Sequence, residues 1–337
     1  MPDHSVLALG DVKLQSGKRL DGAFLAYQTY GVLNADKSNA IVFNTPFGAV
    51  HSDIAWMIGS EMALDPNKYF IIIPNMFGNG ASISPSNAAA AQAQERFPNV
   101  TLYDSVVQQH RLVTDELGIA RLKLVVGWSM GGQQAYHWAA LFPDMVERVA
   151  PICASAKTSG HNYVFLDSLK SALTADPEFR DGRFYGKPER GLRAVARAYA
   201  AWAVSPGFYH DCVYQTLGFE TIEEFLVKAW DANMLRRDPN NMMAMWWSWQ
   251  HADISENGRY GGDIGKALAS IRARAFVMPA TTDCYFTADA SSREVEQMPN
   301  AQLRPIRSVW GHRAGNPAQS PEDLKFINDA LRELLNA

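Results

Sequence analysis

The segment Gly127-Trp128-Ser129-Met130-Gly131 sets a serine between two glycines, and the residues on either side give that spacing chemical meaning. Upstream, Leu122 to Val126 is a short, chiefly apolar run that predicts a buried strand; downstream, the residues from Gly132 read as a helix. A serine in so tight a strand-to-helix turn projects its hydroxyl from the sheet, and the flanking glycines let neighbouring backbone come close. The first amides of the helix then lie beside it. The Met130 N–H is therefore an expected oxyanion donor, and the expected chemistry is attack on an acyl carbon through an acyl-serine.

A lone serine is unreactive near neutral pH and needs a base oriented by an acid, here in the chain order serine, acid, histidine. The strand-like run Ala275 to Pro279 leads to Asp283, and Gln302 to Ile306 leads to His312. Both residues are placed at carboxyl ends of strands, where sites of open α/β sheets gather. Asp283 is the expected orienter and His312 the expected base. The competitors lack that context: Asp289 falls on the following helix, Asp263 reads as a helix cap, His137 lies inside the helix after Ser129, and His51, His161, His210 and His251 follow no strand. The pairs His51/Asp53 and His251/Asp253 are too isolated to predict a metal site, and none is expected.

A second oxyanion donor is expected in the loop Asn44 to Ala49. Pro46 has no N–H, which leaves Phe47, with Thr45 as the fallback. Trp128, beside the nucleophile, and Arg313, directly after the histidine, are the candidate substrate-binding residues.

These residues need a scaffold, and the hydrophobic pattern supplies one. Short apolar runs at Phe24–Thr29, Ala40–Asn44, Tyr69–Pro74, Leu122–Val126 and Arg148–Cys153 read as strands, and a helical pattern spans Asp104 to Gly118 with Asp104 as its cap. The alternation predicts an α/β fold with a mostly parallel sheet. From 159 to 262 the pattern turns helical, interrupted by Pro177, Pro188, Pro206 and Pro239, with no convincing buried strand. This stretch is expected to be a helical lid inserted between the two parts of a core domain, 1–158 and 263–337. Its tryptophans and methionines predict packing onto the core to form a pocket, packing on another subunit, or both. Glu322 to Leu335 reads as a closing amphipathic helix.

The chain has 337 residues, 47% of them hydrophobic, and a formal charge of −4. It can bury a large core, and it lacks the clustered Lys and Arg that nucleic acid or an anionic membrane would require. It shows neither an export signal nor a membrane-spanning run, so the cytoplasm is the expected location. Three scattered cysteines predict free thiols.

The sequence resembles the homoserine O-acetyltransferase-like family of α/β-hydrolases almost end to end. The resemblance lies in Tyr27-Gln-Thr-Tyr-Gly31-Val-Leu33-Asn34, in Leu64-Asp-Pro-Asn-Lys-Tyr-Phe-Ile-Ile-Ile-Pro74-Asn75, in Ser129-Met-Gly-Gly, in Asp283-Cys-Tyr-Phe-Thr and in Gly311-His312. It implies an α/β-hydrolase fold with a mostly parallel eight-stranded sheet, a helical lid used for homodimerisation, and a ping-pong route through an acyl-serine. It also implies acetyl-CoA as acyl donor if the reaction is transfer; otherwise no cofactor is expected. Two departures favour hydrolysis of a carboxylic ester or thioester over transfer to homoserine: Arg313 stands where the family continues with an acidic residue, and the segment Ser205 to Gly218 carries no arginine to hold an amino-acid carboxylate. Acyl transfer is the alternative. A non-catalytic ligand-binding role is the remote one, disfavoured by the complete triad.

Overall fold

The computed structural model describes residues 4–337. Strands β1 (Ser5–Lys13), β2 (Arg19–Tyr30), β3 (Ala40–Asn44), β4 (Phe70–Pro74), β5 (Leu124–Trp128), β6 (Arg148–Ile152), β7 (Arg274–Val277) and β8 (Ala301–Leu303) form one sheet in the order β1-β2-β4-β3-β5-β6-β7-β8. β1, β2 and β4 pair antiparallel, and every other neighbouring pair is parallel. The central strands explain the parallel arrangement. All five residues of β3 are buried, as are four of five in β4, β5 and β6, so both sheet faces must be covered.

From β3 the chain steps one way to β4 and the other way to β5. The carboxyl ends of β3 and β5 therefore lie side by side at a topological switch point, where a ligand crevice forms. The loop after β3 and the Gly-x-Ser-x-Gly turn after β5 both open there.

The sequence did not suggest β1, and its burial explains the omission: most of its residues are exposed, as befits an edge strand, and its register shifts on both sides of Gly10. Helix α1 (Leu102–Arg111) begins earlier than expected. Thr101, not Asp104, is its N-cap: Thr101 Oγ1 accepts from the Asp104 N–H, and the Asp104 carboxylate accepts the Thr101 N–H in return. Strands β7 and β8 end before Pro279 and Pro305, which have no N–H for the ladder; Ala280 and Ile306 continue only as an isolated bridge.

Helix α2 (Met130–Leu141) starts directly after Ser129. Between 159 and 262 the chain is chiefly helical, with α3 (Gly160–Thr174), α4 (Glu189–Ala203) and α5 (Pro239–Gln250) its longest elements and a two-residue hairpin, Phe179–Arg180 with Arg183–Phe184, its regular strand pairing. Two of the prolines open helices. Pro206 and Pro239 stand at first-turn positions behind the capping side chains of Ser205 and Asp238.

Trp246 and Trp249 of α5 are fully buried in a cluster with Phe165 of α3, Met130 of α2, and Tyr285 and Phe286 of the loop after β7. Phe165 stacks on Tyr285 with ring centres 4.7 Å apart, and Trp249 stacks on Phe286 at 5.6 Å. Each such aromatic removes roughly 150–250 Å² from water. The helical segment is thereby fastened to the loops that carry the candidate acid and nucleophile. A last pair of helices, α6 (Ala288–Val295) and α7 (Pro321–Asn336), completes the cover, and α7 buries Ile327, Leu331 and Leu334 against the sheet. Among the described residues no helix is long and apolar enough to cross a membrane.

Candidate active site

Ser129 stands at the junction of β5 and α2 with φ 59° and ψ −129°, a backbone conformation that L-residues adopt only under constraint. The constraint is visible on both sides. The Ser129 N–H donates to the Ile152 carbonyl of β6 at 2.9 Å, and its own carbonyl accepts from Gln133 of the following helical turn. Gly131 makes the turn possible, since a Cβ there would lie 2.4 Å from the Asn44 carbonyl oxygen at the end of β3. Ser129 is only 2% exposed.

The loops after β7 and β8 bring Asp283 and His312 together. Nδ1 of His312 lies 2.6 Å from Oδ2 of Asp283, while Oδ1 of Asp283 accepts the N–H groups of Tyr285 and Phe286, each at 3.0 Å. Nε2 of His312 is buried with no hydrogen-bond partner among the described residues. His312 and Ser129 line the same cavity, of about 400 Å³. Tyr285 and Phe286 also pack on the imidazole, with ring centres at 4.5 and 5.4 Å.

Trp128 lines the cavity too, but its indole N–H is engaged by the His312 carbonyl at 3.0 Å, so it braces the histidine as well as facing the space before it. Behind the pair lies Cys153, whose burial pushes the thiol well above its ordinary pKa. Cys153, Asp283 and His312 bring their donor atoms within 4.8 Å of one another, though the His312 and Asp283 atoms face each other in a hydrogen bond. Asp53 and Asp253, which the sequence places beside His51 and His251, hold other partners: Asp53 accepts the Val50 N–H, and Asp253 pairs with Lys157.

Phe47 follows Pro46 at the end of β3 and lines the cavity, where its ring stacks on Trp246 at 5.8 Å. The N–H groups of Phe47 and Met130 donate to no acceptor among the described residues. The Thr45 carbonyl accepts from the Gln134 side chain, and its hydroxyl accepts from the Met76 N–H. The turn Pro46–Ala49 is fixed by the Ala49 N–H on the Pro46 carbonyl.

Residues 40–308 match the family described as alpha/beta hydrolase fold. The chain belongs to the α/β-hydrolase family. Along nearly its whole length this α/β-hydrolase is similar to a probable esterase of Corynebacterium glutamicum, 39% identical with 99% of the chain and 96% of the relative covered. It is similar to the same degree, 39%, to an ethyl acetate hydrolase of Pseudomonas veronii, covering 98% and 95%. The solved structure of the acetyl esterase MekB superposes with a TM-score of 0.96 at 37% identity, covering 99% of this chain and 97% of that one. Homoserine O-acyltransferases, whose motifs the sequence resembles, are more distant; that of Methanococcus vannielii is 29% identical.

The most consequential cavity residue that the sequence did not single out is Arg237. Its guanidinium donates to the Gly48 carbonyl at 2.5 Å and to Asn233 Oδ1 at 3.1 and 2.9 Å. Burial, reinforced by neighbouring Arg236, lowers its pKa to about 10. Arg313, half-buried in the same wall, is likewise lowered by burial. Tyr285 and Phe286 carried a legible signal, because an aspartate commonly accepts amides two and three residues ahead. For Arg237 no local pattern existed.

Proposed function

We propose that this α/β-hydrolase cleaves short-chain carboxylic esters, acetyl esters foremost, through an acyl intermediate on Ser129. One observation carries the reading: His312 is tied by Nδ1 to a fixed Asp283 carboxylate and keeps Nε2 unpartnered at the cavity that holds the strained Ser129. In the reaction His312 removes the Ser129 proton as Oγ attacks the ester carbon. Asp283 holds the imidazole tautomer and balances the imidazolium. The Met130 and Phe47 N–H groups stabilise the oxyanion, each by about 3 kcal/mol in related acyl chemistry. His312 then protonates the departing alcohol, activates a water, and the carboxylic acid leaves.

The similarity to an ethyl acetate hydrolase and to acetyl esterases over almost the full length supports water as the second nucleophile and acetyl as the acyl group. The departures from the homoserine transferases at Arg313 and in the segment Ser205 to Gly218 support the same choice. No step calls for a metal or organic cofactor. The helical segment 159–262 serves as the lid, and its exposed Tyr163, Val164, Ile222 and Val227 support pairing of two copies through it.

Ethyl acetate and acetyl-CoA separate hydrolysis from transfer. Release of acetate from the ester, with acetyl-CoA left intact in the presence of homoserine, is the expected result; CoA release that depends on homoserine would overturn it. A fluorophosphonate probe should label the native chain and not Ser129→Ala. Sedimentation at the mass of one chain would rule out the dimer.

A further inference from the structure

We infer that the cavity before Ser129 is built for esters whose alcohol part bears a carboxylate, and that Arg313 is the residue that recognises it. The inference rests on the ester-hydrolase reading and adds to it a substrate class.

The cavity is unevenly supplied with charge. Arg236, Arg237 and Arg313 line it, against one acid among the described residues, Asp53, whose carboxylate already accepts the Val50 N–H. Arg237 is spoken for by the Gly48 carbonyl and Asn233. Arg236 is exposed, whereas Arg313 is half-buried, its side chain makes no ion pair and no hydrogen bond among the described residues, and its Nε is enclosed without a partner. A guanidinium keeps its proton, so an anion that enters the cavity meets in Arg313 a charge with no acidic partner of its own.

The position of Arg313 beside His312 points to the alcohol half of the ester as the one that carries the charge. His312 must reach the leaving oxygen with Nε2, so the alcohol part runs past His312. Arg313 is its neighbour in the tight turn Gly311–Gly315, and both line the same cavity. A carboxylate a few bonds from the leaving oxygen then meets the guanidinium, whose planar fork suits two carboxylate oxygens. At about 400 Å³ the cavity has room for such an alcohol beside a two-carbon acyl group. In the reaction the acyl C–O bond breaks, the leaving oxygen takes its proton from His312, and water later supplies hydroxyl to the acyl carbon. The products are a carboxylic acid and a hydroxycarboxylate.

The test compares 3-acetoxypropionate with butyl acetate, a neutral ester of similar length, by acetate release. The native enzyme should favour the anionic ester in kcat/KM by about 10-fold or more, the factor a charge-assisted bond supplies. Arg313→Gln should lower that ratio by a similar factor, chiefly through KM, and Arg313→Lys should restore part of it. A native preference for butyl acetate overturns the inference. So does an Arg313→Gln variant that slows both esters equally, which is the mark of a structural role. If that variant does not fold, the native ratio decides alone. Failure to release acetate from either ester instead removes the esterase reading itself.

Discussion

Asp283 gives one carboxylate oxygen to His312, at 2.6 Å, and keeps the other on the N–H groups of Tyr285 and Phe286. Held at both ends, the carboxylate fixes the imidazole with Nδ1 protonated and Nε2 free to take a proton. Asp283→Asn preserves the shape but invites the opposite tautomer. We expect kcat on a short 4-nitrophenyl ester to fall by about 10⁴ while the circular dichroism spectrum is unchanged. A loss smaller than tenfold would remove Asp283 from the orienting role.

Gly311, next to the histidine, has φ +58°, and a Cβ there would lie 2.9 Å from the Ser205 nitrogen and from Val204. The same two loops are joined by the Ser205 hydroxyl donating to the Val309 carbonyl at 2.6 Å. Gly311→Ala must therefore push the helical segment away from the histidine loop. Chemical denaturation should show a loss on the order of 1–3 kcal/mol. Activity should fall as well, because an ångström of misplacement at a catalytic group can cost about 10²-fold. Unchanged stability with normal activity would show that the loops are not coupled.

Glu294 of α6 has a buried carboxyl: one oxygen accepts the Ala156 N–H at 2.8 Å, and the Tyr136 side chain lies beside the group. Burial raises its pKa from 4.5 to about 7, against the opposing Ala156 and Tyr136 interactions. The folded state thus binds this proton more tightly than the unfolded state does. Its stabilising effect is complete below about pH 4.5 and is lost as pH rises through about 7. Glu294→Gln keeps an acceptor for Ala156 and has no proton to lose. Its stability relative to the native chain should increase between pH 5 and pH 8, by on the order of 2–3 kcal/mol. A difference that stays constant with pH would place the titration elsewhere.

What the sequence disclosed and withheld follows from the range of the forces involved. The elbow was legible because β5, Ser129 and the close approach at Gly131 lie within a few residues, and Asp283 because it follows the buried strand β7; β8, which leads to His312, has no buried residue, and only the run Gln302 to Ile306 pointed to it. Edge strand β1 escaped notice since an exposed strand need not be apolar. The cap of α1 was misplaced by three residues because Thr101 and Asp104 bond reciprocally, and either alone reads as a cap. The cavity wall was the least legible part. Arg237 reaches Gly48 across 189 positions, and nothing local to Arg236-Arg237 marks which of the two turns inward.

That contact makes a last prediction. Arg237 holds the Gly48 carbonyl, two peptide units after the one that carries the Phe47 N–H proposed for the oxyanion. Lysine keeps the charge but cannot bridge Gly48 and Asn233 with the same planar fork. In Arg237→Lys the loop after β3 should therefore loosen at the point where negative charge develops. An interaction made only in the transition state affects kcat and leaves KM nearly alone. The drop should be about 10-fold on ethyl acetate, less than the 10²–10³ seen when an oxyanion donor is removed outright. If KM rises instead with kcat intact, Arg237 acts on the bound ester and the loop needs no such support.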